Sequence, residues 1–224
     1  MAALAFLTVA WNACFPVRNS PFSVDESNKV NKAYQDAASV SLERKNTVGA
    51  PFDVDSEKGI MHSPTLDARV AVFGSLGWAT MEIELDSIFI TGAVVILQRM
   101  GYSYGKYLGN IVKRKADKVD PVGIGLQTLS KMAKDSGWGN LSQTGGDLRS
   151  GTFTMVMKDC IFCLNMKKKK DPRCHFLVGV FAGFADEVTG FNHRAREDQC
   201  VAKEDTVCEF VVERVAEQTT RPPF

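Results

Sequence analysis

Histidine is scarce in this chain, with three in 224 residues. His62, His175 and His193 fall into no recognisable catalytic triad. No G-x-G-x-x-G follows a strand-like run, and no loop that would cradle a nucleotide phosphate is visible. Net charge is also lacking: the formal value is +1, so there is no global electrostatic pull toward nucleic acid and none is expected as a partner. Six cysteines are too sparse for a disulfide scaffold. No apolar run is long enough to span a membrane. The apolar start, residues 1–14, is too short and lacks the basic n-region of an export signal, and Trp11-Asn-Ala before Cys14 matches a lipoprotein signal poorly. No transmembrane segment is expected, and the thiols are expected to be reduced in a cytoplasmic protein. No internal repeat is visible.

What is present supports a packed core. Hydrophobic residues make up 45% and charged residues 24%, outside the disordered range. The run Lys167–Lys170 reads as a solvated loop tip, the alternative being contact with phosphate or an anionic lipid.

Residues 1–62 read as an N-terminal extension, with a polar helix over 25–46 and linker chemistry over 47–64, where Gly49, Pro51, Gly59 and Pro64 cluster. Residues 63–214 read as the main domain and 215–224 as a tail. Within the domain, Leu66–Leu85 is ambiguous: Leu66, Val70, Phe73 and Gly77 fit a helical stripe, whereas Met81, Ile83 and Leu85 alternate with Glu82 and Glu84 like a strand. Asp86 or Ser87 is the expected cap of a helix with Ile88, Phe89, Gly92, Val95, Ile96 and Met100 on its apolar face. Gly101 is expected to interrupt it. A second helical piece then runs over 102–115 and ends in Lys113-Arg114-Lys115, where cations suit the helix dipole.

Asp120-Pro121 is a cap followed by proline at the first helical position, and Gly137 closes the helix it starts. Strands follow at 138–143 and 151–158, expected to join through Gly145-Gly146-Asp147, and 159–166 reads as a third strand or a continuation. Cys174–Thr189 is the clearest helix, with small residues Gly179 and Gly183 on one face and Gly190 as its C′ residue. A hairpin over 194–202 and 207–213 ends the domain. The sum is α+β: N-terminal helices packed on an antiparallel sheet, with a late helix and a C-terminal hairpin.

Three cysteines and acidic residues gather at the end of this domain. Cys200 and Cys208 sit across a turn, and Cys174 begins a helix, where backbone N–H groups are expected to lower a thiol pKa. Glu197, Asp198, His175, His193, Cys160 and Cys163 are within reach as a fourth ligand of a tetrahedral ion. Glu197 and Cys200 face opposite sides of a regular strand, so Glu197 joins only if a bulge or strand end intervenes. The alternative is that these thiols are buried small hydrophobes. Cys160-Ile-Phe-Cys163 lies in a strand-like segment, which disfavours a thioredoxin-like pair; two core cysteines is the preferred reading, with extra or second-metal ligands as the alternative.

The run Cys174-His-Phe-Leu-Val-Gly-Val-Phe-Ala-Gly-Phe, then Cys200 and Cys208-Glu-Phe-Val-Val, resembles the four-vinyl reductase domain family. Met100-Gly-Tyr-Ser-Tyr-Gly105 and Asp135-Ser-Gly-Trp-Gly139 look like that family too. The resemblance spans about 66–213. It implies a domain that binds hydrocarbon-like or aromatic small molecules, on a fold shared with TRAPP vesicle-tethering subunits and usually dimeric through helices. In the sensor domains of aromatic-responsive transcription activators a structural zinc is held by three cysteines and a glutamate. That pattern falls here on Cys174, Glu197, Cys200 and Cys208. The His and Trp that grip a phenol hydroxyl in those sensors are not placed in this sequence.

The resulting expectation is a non-catalytic ligand-binding module, sensory or regulatory, with a structural zinc, forming a homodimer and signalling through a separate output protein. Phe89, Ile96, Tyr104, Leu108, Trp138, Phe153, Met155, Phe181 and Phe184 are the expected pocket lining, each alternatively plain core. Two other functions stay open: a tetrapyrrole vinyl reductase or its accessory, as the family name suggests, and an assembly subunit like the TRAPP relatives.

Overall fold

The period-two alternation in the second half of the chain is realised as a four-stranded antiparallel sheet. Its strands are β4 (Asn140–Asp147), β5 (Thr152–Lys158), β6 (His193–Gln199) and β7 (Cys208–Arg214), in the order β4-β5-β7-β6. On one face Phe153, Met155 and Met157 of β5 lie opposite Val212, Phe210 and Cys208 of β7, and all six are buried. This is the inward half of the alternation. The computed structural model describes residues 52–89, 92–116, 120–166 and 168–216. The apolar start, the helix expected over 25–46, Cys14, Lys167 and the tail beyond 216 lie outside the described residues.

Helix α4 (His175–Thr189) packs on that face with Leu177, Val180, Phe181 and Phe184, all fully buried. It is apolar almost all round because it is covered on both sides. Its second cover is α2 (Gly92–Lys115), and the two backbones touch. A Cβ placed on Gly101 would strike the carbonyl oxygen of Phe176, and one on Gly105 that of Val180. From the other side, a Cβ on Gly179 would strike the Gln98 carbonyl and one on Gly183 the Tyr102 carbonyl. Gly101 therefore does not interrupt the helix as expected. Residues 92–115 form one continuous helix, and the glycine is there because the neighbouring chain leaves no room for a side chain.

A polar tie fixes the far end of α4. The Tyr102 hydroxyl donates to Asp186 Oδ2 at 2.7 Å, and Asp186 Oδ1 accepts from the His193 backbone N–H at 2.6 Å. Gly190 closes the helix in the left-handed conformation, its N–H on the Asp186 carbonyl.

Helix α3 (Pro121–Asp135) starts as its sequence dictates: Asp120 accepts from the N–H groups of Val122 and Gly123. Helix α1 (Ser75–Phe89) corrects the reading of its segment. The alternation at 81–85 is not a strand, and the polar member faces inward: Glu82 is 2% exposed, Met81 44% and Ile83 39%. Asp86 and Ser87 lie inside α1 and cap nothing; Asp86 pairs with Arg173. Ile88 and Phe89 are exposed at its end.

Three other expectations are revised. The stretch read as linker carries β1 (Asp53–Asp55) and β2 (Ile60–Ser63), which pair with β3 (Ala68–Arg69) in a small antiparallel sheet. Gly59, at φ 63°, lies in the turn between β1 and β2. The β4–β5 turn lies beyond Asp147, while Gly145 and Gly146 pair within the ladder past a register shift. Residues 159–166 form a turn and no strand. The described lysines of the basic run, Lys168–Lys170, are exposed.

The α2–α4 contact predicts a sharp contrast between two glycines. Gly105→Ala should lower stability by about 3 kcal/mol or more, as overpacking against a rigid backbone. Gly77→Ala, on α1 with nothing within 4 Å of its added Cβ, should raise it by about 0.5–1 kcal/mol. Urea unfolding measures both, and equal effects would refute the close approach.

Candidate metal centre and aromatic cluster

Three elements bring the thiols together beneath the N-terminus of α4. Cys174 is the N-cap of α4, Cys208 opens β7, and Cys200 follows β6 at the start of a short 3-10 turn, Val201–Lys203. Glu197 reaches them because the β6–β7 register slips between Glu197 and Gln199 and the strand ends at Gln199. The ligand atoms of Cys174, Glu197, Cys200 and Cys208 all lie within 4.8 Å of one another. Asp198 is turned outward to Arg196, and His193 is held by Asp186.

Cys160 and Cys163 belong to the same cluster. They sit on the turn after β5, and the Sγ atoms of Cys160, Cys163, Cys174 and Cys208 also lie within 4.8 Å of one another. The separations are 3.3 Å for Cys163–Cys208, 3.6 Å for Cys160–Cys174 and 3.7 Å for Cys174–Cys208. Sulfurs on one tetrahedral zinc, each about 2.3 Å from the ion, stand about 3.8 Å apart. All five described cysteines are free and buried.

The electrostatics suit a cation. Glu197 Oε2 accepts the Cys174 N–H at 2.9 Å, while its other oxygen is buried without a partner. Burial first, then the neighbouring Cys200, pushes its carboxyl up to about 9. Burial holds the Cys174 thiol well above its ordinary value, against the lowering expected at a helix start. Cys163 is driven the other way by hydrogen bonds from Cys160 and the other thiols. Packed this closely, the acids cannot all ionise unless a positive charge replaces their protons. The Val201 N–H already points at Cys208 Sγ, 3.4 Å away. Soft thiolates, one carboxylate and an orphaned oxygen fit a zinc-like ion.

Beside the thiols lies an aromatic cluster. Phe162, between the two cysteines of the C-x-x-C, stands 5.1 Å from Trp78 and 5.5 Å from both Trp138 and Phe176. Tyr104 closes it at 5.8 Å from Trp138 and 5.9 Å from Phe176. Three buried polar atoms on this side have no partner: Trp78 Nε1, Glu82 Oε1 and Arg173 Nε. Burial raises the Glu82 carboxyl to about 8, the Arg173 guanidinium opposing it.

Of the expected lining residues, Tyr104 and Trp138 are in this cluster. Leu108, Phe153, Met155, Phe181 and Phe184 are fully buried between α2, α4 and the sheet, Ile96 is half-buried on α2, and Phe89 is 49% exposed. Sequence reading missed Trp78, Glu82, Phe162 and Phe176. Trp78 and Glu82 carried a signal, one helical turn apart, that the strand reading of 81–85 concealed.

Residues 153–214 match the family model of the vinyl-4-reductase domain. The resemblance to the four-vinyl reductase family holds over that stretch. An uncharacterized protein of Methanocaldococcus jannaschii is 28% identical over 112 residues, 50% of this chain and 61% of that protein. The chain thus spans less than two thirds of the length of this curated relative. The phenol-responsive sensory domain of the transcription activator PoxR, solved with phenol, has a TM-score of 0.64 at 14% identity, covering 89% of this chain and 94% of that one. It shares the fold. A vinyl-4-reductase family protein from Methanocaldococcus jannaschii overlaps with a TM-score of 0.43 at 19% identity, covering 61% of this chain and 82% of that one.

Glu82 makes stability depend on pH. With its folded pKa raised from 4.5 to about 8, the folded state holds the extra proton. Its contribution is complete below about pH 4.5 and is lost as pH rises through about 8. Glu82→Gln should remove a loss on the order of 3 kcal/mol across that window. Denaturant titrations of both proteins at pH 5 and pH 9 measure it, and parallel pH profiles would refute it.

Proposed function

We propose that this protein is a non-catalytic binding module for an aromatic or hydrocarbon-like small molecule, serving a sensory or regulatory role, with a structural zinc held by Cys174, Glu197, Cys200 and Cys208. The aromatic cluster carries the reading. Rings from α1, α2, α4 and two loops converge, and the neighbouring indole N–H and carboxyl oxygen are buried and unpartnered. Buried polar atoms in native proteins nearly always have partners. A flat apolar ligand with one hydroxyl would supply them, the neutral Glu82 acid and the Trp78 indole giving it orientation. The fold shared with the phenol-responsive domain of PoxR supports the same class.

Zinc would supply no reaction here. Four protein donors fill a tetrahedral shell, so its part is to bind the start of α4 to the β6–β7 hairpin. The exposed apolar side chains of Phe73, Met81, Ile83 and Ile88 along and before α1 support a homodimer. Buried free thiols support a reducing, cytoplasmic setting. Among the described residues no helix is long and apolar enough to cross a membrane. Output is assigned to a separate protein.

Titration with phenol and alkylphenols, followed by tryptophan fluorescence, tests the ligand. Saturable quenching should appear, and Trp78→Phe, which keeps a ring but loses the N–H, should weaken binding about fivefold to tenfold. No saturable response from any of these, together with turnover of a vinyl-tetrapyrrole with NADPH, would replace this function with the reductase. For the metal, Cys200→Ser should cost several kcal/mol, since structural zinc is coupled to folding. Elemental analysis showing under about a tenth of an equivalent of zinc in native protein would remove the site.

A further inference from the structure

The cluster contains more donors than one tetrahedral ion uses. Cys160 and Cys163 are 2% and 0% exposed. They have the two-residue spacing with which a turn offers paired thiolates to a metal. Cys160 Sγ touches Cys174 Sγ, and Cys163 Sγ touches Cys208 Sγ. Cys174 and Cys208 are thus common to two four-donor sets, each with all its ligand atoms within 4.8 Å of one another. One set is completed by Cys160 and Cys163 on the β5 turn. The other is completed by Glu197 and Cys200 at the end of β6. The shared pair is 3.7 Å apart, the length of one tetrahedral edge.

We propose that the cluster holds two thiophilic divalent ions, with Cys174 and Cys208 as bridging thiolates. One ion lies in the Cys160, Cys163, Cys174, Cys208 set, and the other in the Cys174, Glu197, Cys200, Cys208 set. Two tetrahedra joined along the Cys174–Cys208 edge, with metal–sulfur bonds of about 2.3 Å, put the ions roughly 3 Å apart. Each thiol gives up its proton as its ion binds, so no other reactant is needed. The proposal rests on the single-zinc reading for the second set and adds the first. It gives the C-x-x-C a task that two core cysteines would not have. It also explains why the turn at 159–166 is held without a ladder: the turn is pinned by metal to α4 and β7.

Native mass spectrometry of the full chain, purified under reducing conditions and titrated with zinc, tests this. Two zinc ions per chain are expected at saturation. The Cys160→Ser/Cys163→Ser double variant should hold one ion, and Cys200→Ser should hold one in the four-thiolate set. X-ray absorption at the zinc edge of the wild-type protein should show a zinc neighbour at roughly 3 Å, a readout that needs no variant to fold. One ion per saturated wild-type chain overturns the two-ion site while leaving a single structural zinc. No ion overturns both readings. Two ions that survive the double serine variant place the second ion elsewhere and also overturn the proposal.

Discussion

The contact on which the rest of the structure depends is the one between the backbones of α2 and α4. Four glycines, two from each helix, let the chains meet where any Cβ would strike a carbonyl oxygen. The meeting is not a property of either helix alone, since glycine weakens a helix interior by about 1 kcal/mol at each position. It is recovered in packing. With α2 this near, α4 is sealed on one side and lies flat on the β5–β7 face on the other, and its N-terminus is delivered to a fixed point beside the sheet. That fixed point is where Cys174 sits. The order of causes therefore runs from small residues to close helices, and from close helices to a thiol placed against the hairpin.

The hairpin completes the arrangement by an irregularity. In an uninterrupted β6, Glu197 and Cys200 would face opposite ways. The slip at Glu197/Gln199 and the early strand end turn both toward Cys174. A bulge of this kind weakens the ladder locally. The acids it gathers would destabilise one another further if all were ionised. Such an arrangement makes physical sense where a cation offsets the crowding, and it leaves the Glu197 carboxyl oxygen unpartnered otherwise.

Much of this was legible in the chain. Asp120-Pro121, the Cys174–Thr189 helix with Gly190 behind it, and the C-terminal hairpin are local signals, and local physics made them. The condition on Glu197 was also readable, because side-chain period two admits that residue only through a bulge. What was not legible was set by tertiary partners. Gly101 reads as a helix breaker until the carbonyl of Phe176 lies against it. Residues 81–85 read as a strand because Glu82 is polar, and only the interior around Trp78, Arg173 and Phe176 makes the polar side the buried one. The Cys160–Cys163 pair looks like core because its partners are 11 to 48 positions away in sequence and no local period connects them.

The two halves of the site share residues, and that sharing bears on how a binding module would report occupancy. Phe162 lies between Cys160 and Cys163, Phe176 follows Cys174 by two positions, and Arg173, which holds α1 through Asp86, precedes it. A molecule seated among these rings must displace or order side chains whose backbone carries the thiols. If metal fixes that backbone, the thiol side cannot yield. Any adjustment is then directed to Trp78 and Glu82 on α1, the helix that presents exposed apolar side chains outward. Interiors are close-packed and transmit such shifts by moving whole elements. A rigid metal-pinned wall opposite a less constrained helix therefore gives ligand binding one direction in which to act, toward the surface where a second chain or an output protein would meet it.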